Sequence, residues 1–137
     1  MLAENCIFCK IVRNDIPSKI IYENDETLAF LDIFPIAEGH TIVVPKKHYE
    51  NIEAIPDEIL ISVIKIVKKL ATLLHDKLNF EGYNILQNNF KAAGQVVQHF
   101  HFHIIPRNFN DSRFRLAIPR EQAIEEDLDQ ILKIIKG

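Results

Sequence analysis

The stretch Gln98-His99-Phe100-His101-Phe102-His103-Ile104-Ile105-Pro106 alternates imidazoles with bulky apolar side chains and closes on a proline. On a helix, residues two apart point to nearly opposite sides, whereas on a strand they share a face. Aromatic and β-branched partners favour the strand. His99, His101 and His103 are therefore expected on one face, with Phe100, Phe102 and Ile104 in a core on the other. Neighbouring imidazoles on such a face are rooted about 6.5 to 7 Å apart, and the outer two about 13 Å apart. A zinc ion lies only about 2 Å from each ligating nitrogen. One ion cannot take all three, so at least one histidine must do something else.

The 137-residue chain is long enough for one domain, 1–137, with a real hydrophobic core. Its net charge of −3 gives no general basic surface, which argues against nucleic acid as a partner. No apolar run is long enough to span a membrane. Residues 1–10 lack the basic-then-apolar order of a signal peptide. The two cysteines, Cys6-x-x-Cys9, suit a metal or redox site in a reducing compartment, so a cytoplasmic location is expected.

Outward from the histidine stretch, residues 5–13 read as a short helical turn with Ile7, Phe8 and Ile11 on one side. Ile20–Tyr22 and Thr27–Leu31 read as strands joined by the hairpin loop Glu23–Glu26. Thr41–Val44 is a continuous apolar strand, buried on both faces and ending at Pro45. Residues 57–77 form the clearest helix, with Ile59, Leu60, Val63, Ile64, Val67, Leu70, Ala71 and Leu74 at helical spacing and Asp57 as its expected N-cap. Gly82–Gln87 reads as a strand, and Asn88–Gly94 as a polar turn leading into the histidines. Residues 120–136 read as a second amphipathic helix carrying Ile124, Leu128, Ile131, Leu132 and Ile135, with acids at its start and Lys133 and Lys136 at its end. The fold class is α+β: a mainly antiparallel sheet with one long helix on it and a C-terminal helix.

Cys6-x-x-Cys9 admits a redox pair, two buried thiols, or half of a zinc site. The redox reading lacks the βαβ unit that would accompany it. A zinc site needs two more ligands, for which His48 and one member of the histidine strand are candidates. A Cys2His2 set would be closed to water and structural. His40 and His48 bracket the buried strand; taken singly, one is a capping or core histidine and the other a loop residue beside Lys46 and Lys47. Asp32, just after a strand, is by itself a turn residue. Clustered imidazoles disfavour one another's protonation, which keeps the central ring neutral near pH 7. A neutral imidazole with one nitrogen free is a competent nucleophile toward phosphorus.

His99-Phe-His101-Phe-His103-Ile-Ile resembles the signature of the histidine triad (HIT) superfamily of nucleotide hydrolases and transferases. Ile7–Ile11, Ile16-Pro17, Leu28–Ile33, Gly39–His48 and Gly94-Gln95 resemble its Hint branch and bacterial HIT relatives, so that the likeness runs from about Cys6 to Arg107 and leaves 108–137 as an extension. The resemblance implies a HIT-like fold with a five-stranded sheet, and a homodimer that joins two sheets into one of ten strands. It implies a purine nucleotide substrate, with His101 as nucleophile on the α-phosphate and His103 and His40 as supporting imidazoles. Asn88 and the Gly94-Gln95 backbone would contact phosphate, and Asp32 the ribose hydroxyls. Ile7, Phe8, Ile11, Phe30 and Ile33 would form the apolar slot for the base. It implies structural zinc on Cys6, Cys9, His48 and His99, and no cofactor for catalysis.

The activity implied first is hydrolysis of adenosine 5'-monophosphoramidate-type substrates. The alternatives are dinucleoside polyphosphate hydrolysis, as in the fragile-HIT branch, and a zinc-stabilised nucleotide-binding scaffold with little turnover. A metal-dependent hydrolysis at the histidine strand is a further alternative. A uridylyltransferase would carry Gln at the third triad position, where this chain has His103. One departure is Val96, where many relatives carry Ser or Thr able to touch phosphate.

Overall fold

The computed structural model describes residues 3–115 and 118–137. A short helix α1 (Ile7–Val12) precedes the strands β1 (Ile20–Glu23), β2 (Thr27–Leu31) and β3 (Thr41–Pro45). The long helix α2 (Asp57–Leu78), strand β4 (Gly82–Leu86), strand β5 (Phe102–Arg107) and helix α3 (Glu125–Lys136) follow. The strands form one antiparallel sheet in the order β1-β2-β3-β5-β4. The β1–β2 hairpin turns on Asn24, whose Oδ1 accepts from the backbone N–H groups of Glu26 and Thr27 at 2.9 and 2.8 Å.

Strand alternation sorts the sheet into two apolar faces. Ala29, Val43, Phe102 and Ile104 pack with Phe100 against the α2 stripe of Val63, Val67, Leu70, Ala71 and Leu74. Leu28, Phe30, Ile42 and Val44 pack on the other side against Phe8 and Ile11 of α1. With both faces covered, every residue of β3 is buried, as its unbroken apolar sequence requires. His103 takes the α1 side because its neighbours Phe102 and Ile104 take the α2 side. Gly39 feeds β3 at φ 88°, and a Cβ there would stand 2.6 Å from Leu78 Cδ1. The tight approach seats His40, 2% exposed, at the strand's entrance.

Four sequence expectations shift. The strand carrying the histidines begins at Phe102 rather than at Gln98, because β3 pairs only through Thr41–Val43 and the Phe100 N–H is donated to Tyr49 O at 2.6 Å. The N-cap of α2 is Pro56, without a side-chain hydrogen bond; Asp57 lies inside the first turn, where its charge still complements the helix dipole. Strand β4 stops at Leu86, and Gln87 pairs its side chain with that of Asn89 instead. Helix α3 starts at Glu125, not at residue 120, and buries none of its residues. No helix among the described residues is long and apolar enough to cross a membrane.

Candidate active site and metal centre

A cavity of about 500 Å³ opens between α1, the end of β2 and the loop before β5. Ile7, Phe8 and Ile11 of α1 form one wall with Phe30 and Ile33, while Asp32, Asn88, Gly94, His101 and His103 supply polar groups. Among the described residues, Asp32, His101 and His103 are its only titratable lining groups, and no lysine or arginine lines it. All of these were expected at a substrate site. Ile42 and Ile105 also line it and could have been found from strand alternation, since each shares the face of its neighbouring site residues. Ile16, Pro17, Ser18 and Val97 carry no comparable signal in sequence.

The hydrogen bonds around the histidines fix their tautomers. His101 Nδ1 lies 2.7 Å from the His99 carbonyl. A carbonyl only accepts, so Nδ1 carries the proton and Nε2 keeps its lone pair. The Ile36 N–H donates to His40 Nδ1 at 3.1 Å, which puts the His40 proton on Nε2. From there it is donated to His103 Nδ1 at 2.9 Å, so a neutral His103 carries its own proton on Nε2. The His101 and His103 ring centroids are 4.8 Å apart, and Phe8 stands edge-on to His101 at 5.1 Å. The cavity is thus offered one imidazole lone pair and one imidazole N–H side by side. His40 does not line it and acts from behind His103.

Burial is the largest cause holding these rings neutral. It lowers the pKa of His101 and His40, and with the charges of His101 and His40 it brings His103 down to about 4. Mutual repulsion, the sequence-based reason, is a lesser cause at His40 and His103 and is not among the causes at the central ring, His101. The unfolded chain therefore binds more protons than the folded one between about pH 6.5 and pH 4. Stability contributed by His103 is complete above pH 6.5 and is lost as pH falls through that window, and burial of His40 acts in the same direction. Urea midpoints measured from pH 7 to 4.5 are expected to fall, and to fall less steeply in His103→Asn; equal slopes would count against the assignment.

Two clusters offer several metal-ligand atoms, and tautomers separate them. In the first, Cys6, Cys9, His48 and His99 bring their atoms within 4.8 Å of one another. Cys6 Sγ is 3.3 Å and Cys9 Sγ 3.5 Å from His99 Nδ1, and Cys9 Sγ is 3.4 Å from His48 Nδ1. A tetrahedral zinc with ordinary bond lengths sets its sulfur and nitrogen ligands roughly 3.5 Å apart. His99 Nε2 donates to Pro45 O at 2.8 Å, leaving Nδ1 free while the ring stays neutral, which is how metal-binding histidines are oriented. The residues fit zinc. The second cluster is Asp32, His40 and His103. There His40 Nδ1 already accepts a hydrogen bond, so a metal on Nε2 would require removing the ring's last proton. His40 and His103 are joined by a hydrogen bond, and the Asp32 carboxylate stands 3.6 Å from His40 Nε2.

The loop before β5 differs from expectation in one respect. The Gly94 N–H is donated to Lys91 O at 3.0 Å and the Gln95 N–H to Phe90 O at 3.2 Å. Gln95 is buried and does not line the cavity. The Val96 and Val97 N–H groups have no partner among the described residues, and both residues line the cavity.

The sequence model of the HIT domain matches residues 13–110. The chain belongs to the HIT family. An uncharacterized HIT-like protein of Methanocaldococcus jannaschii is 52% identical over 96% of this chain and 99% of its own length. The adenosine 5'-monophosphoramidase of Saccharomyces cerevisiae is 42% identical over 96% of this chain and 78% of its own length. A HIT family protein from Bacillus anthracis superposes with a TM-score of 0.89 at 40% identity, covering 98% of this chain and 96% of that one. A Zn-bound histidine triad family protein from Mycobacterium smegmatis superposes with a TM-score of 0.75 at 34% identity, covering 95% and 97%.

The HIT match begins after both cysteines, yet α1 with its N-cap Cys6 carries Cys9 and the wall residues Ile7, Phe8 and Ile11 together. In this HIT chain the metal cluster and the cavity share one short helix. Phe8 touches the rings of both His99 and His101, at 5.9 and 5.1 Å.

Proposed function

We propose that this HIT protein hydrolyses purine nucleoside phosphoramidates of the adenosine 5'-monophosphoramidate type through a nucleotidyl group carried on His101. The observation that carries the reading is the 2.7 Å hydrogen bond from His101 Nδ1–H to the His99 carbonyl, which leaves a neutral Nε2 lone pair at the cavity. The base lies in the apolar slot of Ile7, Phe8, Ile11, Phe30 and Ile33, and Asp32 offers carboxylate oxygens to the ribose hydroxyls. His101 Nε2 forms a bond to phosphorus as the phosphorus–amine bond breaks. The amine departs with the proton that the phosphoramidate nitrogen already carries, while the His103 N–H, held in register by His40, donates a hydrogen bond to a phosphoryl oxygen. Water then attacks phosphorus, the bond to His101 breaks, and one water proton passes to solvent. The nucleoside monophosphate leaves. Asn88 and the Val96-Val97 backbone are the groups available to hold phosphate oxygens.

Cavity charge favours this reading over dinucleoside polyphosphates. A phosphoramidate monoester brings one negative charge, a polyphosphate three or more. A cavity without lysine or arginine offers the latter no counter-charge. The name of the yeast relative accords with the same choice. Cys6, Cys9, His48 and His99 would hold a structural zinc, which in a closed set supplies folding energy rather than an open coordination position. A cytoplasmic location accords with two unpaired cysteines.

Quenching the protein during turnover of adenosine 5'-monophosphoramidate is expected to trap an adduct of AMP mass on the peptide containing His101. Turnover with no adduct on that peptide would reject the covalent route. We also propose a homodimer pairing along β4, an edge strand whose Tyr83 and Ile85 are exposed, so that two sheets make one of ten strands. Light scattering is expected to give twice the chain mass, and Ile85→Lys to lower it. A monomeric wild-type protein at micromolar concentration would exclude this assembly.

A further inference from the structure

Asn88, Gly94, Val96 and Val97 bring one loop to the cavity, and that loop holds a backbone conformation its sequence does not favour. Phe90 stands at φ 70° and ψ 158°, a region that glycine fills and that a Cβ makes costly. Its side chain is half exposed, so burial of the ring does not hold it there. The group that faces its backbone is Gln95, 3% exposed. Gln95 Oε1 accepts from the Phe90 N–H at 2.8 Å. Gln95 Nε2 donates to Glu50 O at 2.6 Å and to Val97 O at 3.0 Å. Both ends of the carboxamide are satisfied in this orientation, and a flipped amide would set N–H against N–H. The Phe90 carbonyl accepts in turn from the N–H groups of Ala93 and Gln95.

We propose that Gln95 is a positioning residue for the phosphoryl site: its buried carboxamide holds Phe90 in a glycine-type conformation and so sets the 94–97 backbone against His101. It ties together three stretches of chain: the start of the loop, Glu50 just after His48, and Val97 just ahead of His99. The internal use of the Gly94 and Gln95 N–H groups follows from the same folded turn, and the Val96 and Val97 N–H groups beyond it have no partner among the described residues. The kinetic side of this proposal rests on the phosphoramidate reading; the conformational side concerns the loop alone.

The test is a set of three variants. Gln95→Leu removes all three side-chain bonds at similar volume. It is expected to lower kcat on adenosine 5'-monophosphoramidate at least tenfold, and its crystal structure to show residue 90 at negative φ. Gln95→Glu keeps the acceptor for the Phe90 N–H but sets its second oxygen against the Glu50 and Val97 carbonyls, and is expected to lower kcat at least as far; should Gln95→Leu not fold, Gln95→Met, of matching length, serves in its place. The decisive variant is Phe90→Gly in the Gln95→Leu background. Glycine adopts the loop conformation without strain, so kcat is expected to recover at least threefold. Phe90→Gly alone is expected to leave kcat within twofold of wild type. A merely structural Gln95 would show thermal stability recovering without kcat. Full kcat in Gln95→Leu, or lost kcat with no recovery in the double variant, would overturn the proposal. Should the wild-type protein turn over no phosphoramidate, the function assignment fails. The loop then decides on geometry: residue 90 still at φ near +70° in Gln95→Leu rejects the positioning role, and its relaxation upholds it.

Discussion

His101→Asn is expected to lower kcat on adenosine 5'-monophosphoramidate by at least about 10³-fold, about 4 kcal/mol of transition-state stabilisation. The size follows from chemistry: asparagine offers no lone pair able to bond phosphorus, and no other free imidazole nitrogen of the right tautomer faces the cavity. His103 presents an N–H there, and its Nδ1 is occupied by His40. His101 is 5% exposed, so alanine would also open a hole, whereas asparagine retains a donor for the His99 carbonyl. AMP binding is expected to change only a few-fold, because the apolar wall of Phe8, Ile11 and Phe30 and the Asp32 carboxylate are untouched. Calorimetric titration with AMP alongside steady-state kinetics separates the two effects. Near-normal kcat in this variant would remove His101 from the nucleophile role, and lost AMP affinity would show that the substitution had collapsed the cavity.

The second large effect is expected at Cys9. This residue is fully buried, and its Sγ sits among His48 Nδ1, His99 Nδ1 and the Ala3 N–H. Cys9→Ser is expected to release bound zinc and to lower the unfolding free energy by about 3 kcal/mol or more. Zinc supplies roughly 10 kcal/mol or more to small peptides that fold around it. The loss here is smaller, because the sheet and α2 keep a core that does not depend on the ion. Metal content by emission spectrometry and urea unfolding of the same samples check both parts. Wild-type protein purified with no zinc, and no gain in stability on adding it, would rule out the metal centre. A chelator is expected to lower stability first and turnover only as α1 loosens, since Phe8 packs on both His99 and His101.

Patterns that follow directly from a repeating geometry were legible in the sequence. The α2 stripe, the apolar run of β3 and the division of histidines from phenylalanines all rest on helical or strand periodicity, and the structure keeps them, apart from Ile64, which is exposed at the stripe's edge. The strand's starting point was not legible. His99 and His101 keep the alternating disposition of a strand without its pairing, because β3 pairs with β5 only through Thr41–Val43 and Tyr49 takes the Phe100 N–H instead. Alternation records which side a residue takes, not whether a neighbour exists. The separate environments of His99 and His103 follow the spacing argument, since their roots are too far apart for one ion. Gln95 shows the opposite limit. The family resemblance concerned only its backbone, and its side chain is tied to Glu50 and Val97, residues whose nearness only the folded chain reveals. The exposed helix α3 is a third case, for its amphipathic pattern marks a face suited to burial and says nothing of what buries it.

The bond that orients His101 ends on a backbone carbonyl, and this has a genetic consequence. Any residue placed at position 99 still supplies that oxygen, so no single codon change deletes the acceptor. A substitution at His99 can remove a metal ligand and leave the lone pair of its neighbour's neighbour aimed as before. Random mutagenesis selected for activity should therefore return fewer inactivating changes at position 99 than at 101, and those it does return should be ones that bend the chain, proline foremost.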